Sequence, residues 1–355
     1  MVLFDKMLGA GESVFKNEDA LDPEFVPKLL PYREQQQHFL ANCIKPLLQE
    51  RNGRNVFIFG APGIGKTGAV RWVLRDLEEN TDEIYTIYVN CWQKNTTFQV
   101  FVNICHQLDY MFTQNKRTEE LLEVIKGIVN KKAAVFVFDE IDKVEDFDFL
   151  YSLLTEIYKR SIVLITNYKE WITELEDRLK SRLLPEMLEF KQYSGEETHA
   201  ILKHRIEYAF VPGVWDAQAF ALVADKAAEA KDIRVGIHLL RESGLAAEEA
   251  TSRKILATHA QTAVAKLNEF QLKSSNELEE DTKLVLKVAK ENSGQKIGDL
   301  FKSYKEKGGQ GTYKTFQRKI AKLEKHQFIQ TNKITGKEGN TTIVSVPNEK
   351  KITDF

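Results

Sequence analysis

Over its first half the chain alternates short apolar runs with stretches of helical spacing. Asn55 to Phe59 is rich in apolar and β-branched residues and runs into a glycine-rich turn, after which Lys66 to Leu77 reads as a helix. Further short runs at Ile84 to Val89, Ala133 to Phe138 and Ile162 to Thr166 are separated by helical segments, the pattern of a parallel sheet wrapped by helices. From about Ser194 to Leu267 the spacing is helical throughout. Asn268 to Glu280 is polar and acidic and is expected to be a linker. Beyond it, Leu284, Val285 and Val288 mark one helix, Ile297, Leu300 and Phe301 a second, and Tyr313, Phe316, Ile320 and Leu323 a third. Gly308, Gly309 and Gly311 supply the turn before the last helix, and Ile329 to Val346 reads as a hairpin turning at Lys337 to Asn340. The expected division is a nucleotide-binding base over residues 1–190, a helical lid over 191–267, the linker over 268–280 and a winged-helix domain over 281–355.

Charge sharpens that division. The net charge of -2 conceals a basic tail: Asp281 to Phe355 holds 16 Lys and Arg against 8 Asp and Glu, whereas the rest holds 34 against 44. An acidic engine joined to a basic module is the expectation. On the third helix of the tail, Thr312 to Gln327, the apolar face leaves Lys314, Arg318, Lys322 and Lys325 directed outward, and Lys337 sits in the hairpin turn. That helix is the expected major-groove element, its cations meeting phosphates of duplex DNA. Cys43, Cys91 and Cys105 have neither disulfide nor zinc spacing and read as small core residues, and the seven histidines are scattered. No apolar run approaches a membrane span, so a cytoplasmic, nucleoid-associated protein is expected.

The chemistry concentrates around the glycine-rich turn. Gly60-Ala61-Pro62-Gly63-Ile64-Gly65-Lys66-Thr67, followed by Gly68, meets the spacing G-x-x-x-x-G-K-[ST] of a phosphate-binding loop. Backbone N–H groups there wrap phosphates, Lys66 reaches the β- and γ-phosphates, and Thr67 ligates Mg²⁺. The apolar strand Ala134 to Phe138 ends in Asp139-Glu140, where Asp139 would hold Mg²⁺ through its water shell and Glu140 would polarise the attacking water. Asn167, ending the next strand, is a candidate to position the same water. Arg178 and Arg182 are candidates for an arginine offered to a neighbour's γ-phosphate, while Arg234, opening a helix of the all-helical region, gives no such hint by itself.

Taken in this order, the loop, the Asp-Glu pair, the strand-ending Asn, the arginine box, the lid arginine and the basic tail resemble an AAA+ ATPase. The stretch Val14-Phe15-Lys16-Asn17-Glu18, the Tyr32-Arg33-Glu34 that follows Pro31, and Asp232-Ile233-Arg234 with Leu239-Leu240-Arg241 narrow the resemblance. It is to the archaeal replication initiators related to eukaryotic origin-recognition and helicase-loading proteins. The resemblance implies that Val14, Phe15, Pro31 and Arg33 cover the adenine of ATP or ADP, that Arg234 reaches the phosphates from a lid, and that Arg182, favoured over Arg178, is the arginine offered to a neighbour. It also implies that Cys91 to Arg117 occupies the place of a DNA-touching helical insertion, although that segment has no clear basic pattern here. The expected function is an ATP-dependent initiator that binds origin duplex DNA and helps recruit or load the replicative helicase, with slow hydrolysis as its switch and a paralogous initiator subunit as a further partner. A nucleotide-regulated signalling or transcription-regulating NTPase with a DNA-binding tail is the alternative.

Overall fold

The computed structural model describes residues 13–276, 280–325, 328–336 and 339–346. After α1 (Glu34–Ile44), the chain alternates strand and helix: β1 (Val56–Phe59), α2 (Lys66–Asn80), β2 (Ile84–Asn90), α3 (Thr97–Gln107), α4 (Thr118–Val129) and β3 (Ala133–Asp139). It continues through α5 (Asp148–Glu156), β4 (Arg160–Thr166), α6 (Trp171–Glu174), α7 (Asp177–Leu183) and β5 (Glu186–Glu189). The strands pair in parallel in the order β2-β3-β4-β1-β5. Helices cover both faces, so the inner strands are buried on each side and read as unbroken apolar runs. Every residue of β3 is buried. Period-two alternation sorts the side chains. Phe57, Ile87, Phe136, Phe138 and Leu164 pack with α3, α4 and α5, whereas Val56, Ile58, Val135, Val137 and Val163 pack with α1 and α2. Truncating a fully buried ring such as Phe136 or Phe138 to Ala would cost about 3–5 kcal/mol.

The sequence-expected strands appear within one or two residues. The exception is β5, Glu-Met-Leu-Glu, whose charged ends hide an edge strand that pairs with β1 from Val56↔Glu186 to Phe59↔Glu189. It forms because Glu186 N–H donates to Asn55 O and Phe190 N–H to Phe59 O, closing the ladder at both ends.

The helical region is α8 (Gly195–Ala209), α9 (Ala217–Ala230), α10 (Ile233–Glu249) and the beginning of α11 (Ala257–Asn276). Ser194 with Glu197 forms a capping box, and Asp216 and Asp232 cap the next two helices through their carboxylates. The expected linker differs over its first part: from Asn268 the chain stays helical to Asn276, because no glycine or proline interrupts it and Glu269, Gln271, Leu272 and Lys273 are good helix formers, while residues 277–279 lie outside the described residues.

The chain divides at Val264/Ala265 into two units. In the second, α12 (Glu280–Glu291), β6 (Gln295–Lys296), α13 (Ile297–Glu306) and α14 (Tyr313–Lys325) precede the antiparallel hairpin β7 (Gln330–Gly336) and β8 (Gly339–Ser345). The sheet order is β6-β8-β7, which makes three helices and a wing. Phe316, Ile320 and Leu323 are buried against Val285, Val288, Leu300 and Tyr304, as their spacing predicts, while Tyr313 stays 40% exposed.

Candidate nucleotide and metal site

β1 delivers the chain to the carboxyl edge of the sheet, and the loop turns through Gly63 (φ 71°) and Gly65 (φ 85°) into the first turn of α2. Both positions disfavour a side chain, by their backbone conformation and by their neighbours. A Cβ at Gly63 would lie 2.0 Å from Asp232 Oδ1, and one at Gly65 would lie 2.8 Å from the Tyr193 hydroxyl. Lys66 is buried, and its Nζ donates to Gly60 O, Ala61 O and Asn167 Oδ1, each at 2.8 Å. Burial lowers its pKa to about 8. Asp139 opposes that shift and Arg234 adds to it.

β3 brings Asp139 to the same edge. Its Oδ2 accepts from Thr67 Oγ1 at 2.6 Å and from the Tyr88 hydroxyl at 2.7 Å, and its Oδ1 accepts from Glu140 N at 2.9 Å. A hydroxyl and a carboxylate held together beneath the phosphate loop are hard oxygen donors, and they fit Mg²⁺ accompanied by phosphates. No cluster of three His, Cys, Asp or Glu suited to a metal occurs among the described residues, so the remaining ligands would come from nucleotide and water. Glu140 adopts a left-handed backbone (φ 54°), which turns its side chain away from the line of the strand. Its carboxyl is raised by burial and then by Asp139 and Asp142, while Lys143 and Arg234 act against the shift. Burial, with Asp139 adding to it, pushes the Tyr88 phenol well above its usual value, so it donates rather than ionises.

The helical region meets this loop through the start of α10. Ile233 N–H donates to Gly63 O at 3.1 Å, and the Asp232 carboxylate lies against Gly63. Arg234 is held by Asp232, Nη2 to Oδ2 at 2.7 Å, and its charge acts on both Lys66 and Glu140. Thus the P-loop, Asp139 with Glu140, Asn167 and Arg234 are gathered at one site from four separate stretches of chain.

The expected adenine residues divide. Val14 and Phe15 lie on the helical region: Phe15 bridges Phe210 with ring centroids 5.0 Å apart, and its ring fills the space a Cβ on Gly244 would need. Pro31 is half-buried, and neighbouring Leu30 reaches Gly68. Arg33 is 4% exposed and donates to Ile64 O at 3.2 and 2.9 Å and to Lys191 O at 2.8 Å, its guanidinium 3.9 Å from the Tyr193 ring centroid. Its donors tie the phosphate loop to the chain beyond β5.

Arg178 and Arg182 lie elsewhere, each 5.1 Å from the ring centroid of Tyr151. Arg178 also pairs with Glu176 at 2.5 Å, and Arg182 repels Arg160. In the second unit Lys314 and Arg318 are exposed on α14. Lys322 and Lys325 belong to that helix, but their side chains lie outside the described residues, as does Lys337 altogether. Within Cys91 to Arg117, the loop between α3 and α4 carries exposed Met111 and Phe112, and among the described residues no helix is long and apolar enough to cross a membrane.

Tyr88 and Tyr193 complete the site without any motif of their own, and Asp232, part of the Asp232-Ile233-Arg234 stretch, does so in a role that stretch does not announce. Only the alternation of β2 signals Tyr88, by putting it on the same face as Val135 and Val137.

Residues 49–170 match the AAA domain family, and residues 199–265 match the Cdc6 AAA+ ATPase-type lid domain. The chain is 29% identical over 353 residues to ORC1-type DNA replication protein 2 of Methanosarcina mazei, covering 95% of this chain and 94% of that one. It is 32% identical to the ORC1-type DNA replication protein of Pyrococcus furiosus, over 75% of this chain and 68% of the relative. Among solved structures it is similar to the Aeropyrum pernix ORC1 protein in complex with DNA, with a TM-score of 0.71, 27% identity and 95% of each chain covered.

Proposed function

The chain belongs to the ORC1-type DNA replication protein family of AAA+ ATPases, and from that premise we propose that it is an ATP-dependent initiator that grips origin duplex DNA and helps recruit or load the replicative helicase. The observation that carries this reading is the direct meeting of the Cdc6-type lid with the phosphate loop, at Asp232, Ile233 and Gly63, in a chain whose carboxy-terminal unit presents a basic helix. Nucleotide bound at the loop would touch both base and lid. Its state would therefore set how the lid stands on the base.

In the mechanism proposed, the backbone N–H groups of residues 63–67 cradle the phosphates and Lys66 exchanges its three protein oxygens for β- and γ-phosphate oxygens. Thr67, and Asp139 through a water shell, would hold Mg²⁺, which would supply positive charge against the phosphates. Glu140 orients the attacking water, and Asn167, once Lys66 has left its Oδ1, positions the same water. Arg234 approaches the γ-phosphate from the lid. Arg182, with Arg178 beside it, is offered to a nucleotide on a paralogous subunit. The strap from Val14 to Arg33 closes over the adenine, Val14, Phe15 and Pro31 supplying apolar surface and Arg33 bracing the loop. Hydrolysis is slow and resets the grip. On DNA, Lys314, Arg318, Lys322, Lys325 and Lys337 meet phosphates.

The test is a gel shift on duplexes carrying candidate origin repeats and on unrelated promoter duplexes, each with and without ATP. Selective, nucleotide-sensitive retention of origin DNA is expected. Equal binding to both duplexes would instead favour a transcription-regulating NTPase.

A further inference from the structure

Asp139 is held from a direction that no nucleotide-binding motif specifies. Tyr88 on β2 is in register with Val137 on β3, so it shares a sheet face with Asp139 two residues further on. Across that diagonal a short side chain would not reach, whereas a tyrosine does. Its hydroxyl donates to Oδ2 at 2.7 Å, the oxygen that Thr67 also engages at 2.6 Å. We propose that Tyr88 is a positioning residue for the Mg²⁺ site, fixing the Asp139 carboxylate that would face the metal.

The phenol is itself held on three sides. β2 is an edge strand, and the outer N–H and C=O of Tyr88, which no further strand pairs, are both taken by the side-chain amide of Gln107 on α3. Tyr88 N donates to Oε1 at 3.0 Å, and Nε2 donates to Tyr88 O at 2.9 Å. Asn103 in turn accepts from Gln107 Nε2 at 2.6 Å, which fixes the amide's orientation. Over the ring lies the Arg71 guanidinium from α2, 4.5 Å from the centroid, and Arg71 pairs with Glu24. Main chain, ring and hydroxyl are therefore each fixed by a different element: α3, α2 and β3. A residue that merely filled the core would not need its hydroxyl aimed at a buried carboxylate. Partners of this kind orient metal ligands, and their loss lowers metal affinity roughly 10- to 100-fold.

This inference rests on the nucleotide-binding reading above, and the experiment separates the two. In the full-length chain, Tyr88→Phe keeps the ring beneath Arg71 and removes only the hydroxyl. Binding of a fluorescent, non-hydrolysed ATP analogue is titrated with Mg²⁺ and, separately, measured in EDTA. The variant is expected to need about tenfold more Mg²⁺ or above for half-maximal tightening, with unchanged affinity in EDTA. Should Tyr88→Phe not fold by circular dichroism, Gln107→Leu takes its place, and a smaller rise in the same direction is expected. An unmoved Mg²⁺ midpoint in the folded variant, or a loss equal with and without Mg²⁺, overturns the assignment of Tyr88 alone. Failure of the wild-type chain to bind the analogue at all overturns the nucleotide reading and this inference with it.

Discussion

The two units handle positive charge in opposite ways. In the first, the site cations are committed to defined partners: Lys66 to three oxygens, Arg33 to two carbonyls, Arg234 to Asp232. In the second, Lys314 and Arg318 stand exposed, and the organised polar contacts lie inward, where Asp281 accepts from the Tyr304 hydroxyl at 2.7 Å and pairs with Lys319 at 2.7 Å. A group that must meet three phosphate oxygens and a metal needs ångström-scale placement, which only burial and hydrogen bonds provide. A surface that meets a regular phosphate lattice needs charge in roughly the right place. Precision is invested in one unit and net charge in the other.

Removing charged groups from each unit should therefore have different consequences. The largest effect is expected of Glu140→Gln, which keeps the shape of the site and should lower ATP turnover by roughly 10²–10⁴ while nucleotide affinity is retained. Single-turnover phosphate release with a parallel binding assay checks it, and unchanged turnover would remove the role assigned to Glu140. Next, Lys314→Ala with Arg318→Ala should weaken duplex binding by roughly tenfold and reduce the slope of log affinity against log salt by about 2. Nucleotide binding should be untouched. A steeper loss without a change in slope would mean that the helix does more than meet phosphates, and the contrast between the units would break there.

The smallest effect is a proton. Lys66 has its pKa lowered to about 8 in the free protein, whereas phosphates at its Nζ would favour the charged form. Near pH 8 the free protein has Lys66 about half deprotonated, so binding should take up about half a proton. Uptake should vanish toward pH 6, where Lys66 is already charged, and should be lost in Lys66→Arg. Calorimetry in buffers of different ionisation enthalpy measures it. The same depression means that stability should rise with pH between about 8 and the ordinary lysine value of 10.5, the window in which the unfolded chain holds the extra proton.

Much of the first unit could be read from sequence because its constraints are local. The glycine spacing, the buried strand ending in Asp139-Glu140 and the polar end of β4 each announce themselves within a few residues. Hidden features depend on partners remote in sequence. Tyr88 matters because Asp139 lies 51 positions away, and Asp232 because it packs on Gly63. β5 escaped notice because an edge strand of four residues with glutamates at both ends carries no alternating apolar signal. In the second unit the helix faces were legible from Phe316, Ile320 and Leu323, but β6 is two polar residues whose strand character comes wholly from pairing with Ile343 and Val344. Arg33 shows a third case. The resemblance implies the adenine, whereas the geometry gives its donors to Ile64 and Lys191, bonds that no pattern within one stretch of chain can specify.

The left-handed turn at Glu140 has a consequence for how this protein can change. A non-glycine residue in that conformation carries a penalty of about 1–2 kcal/mol, which glycine would not. The chain would fold more securely with glycine at this position, yet it would lose the carboxylate proposed to prepare water for attack. Random drift toward sturdier variants would thus run toward a protein that holds ATP and cannot clear it. At this one residue, endurance of the fold and turnover of the switch favour different amino acids.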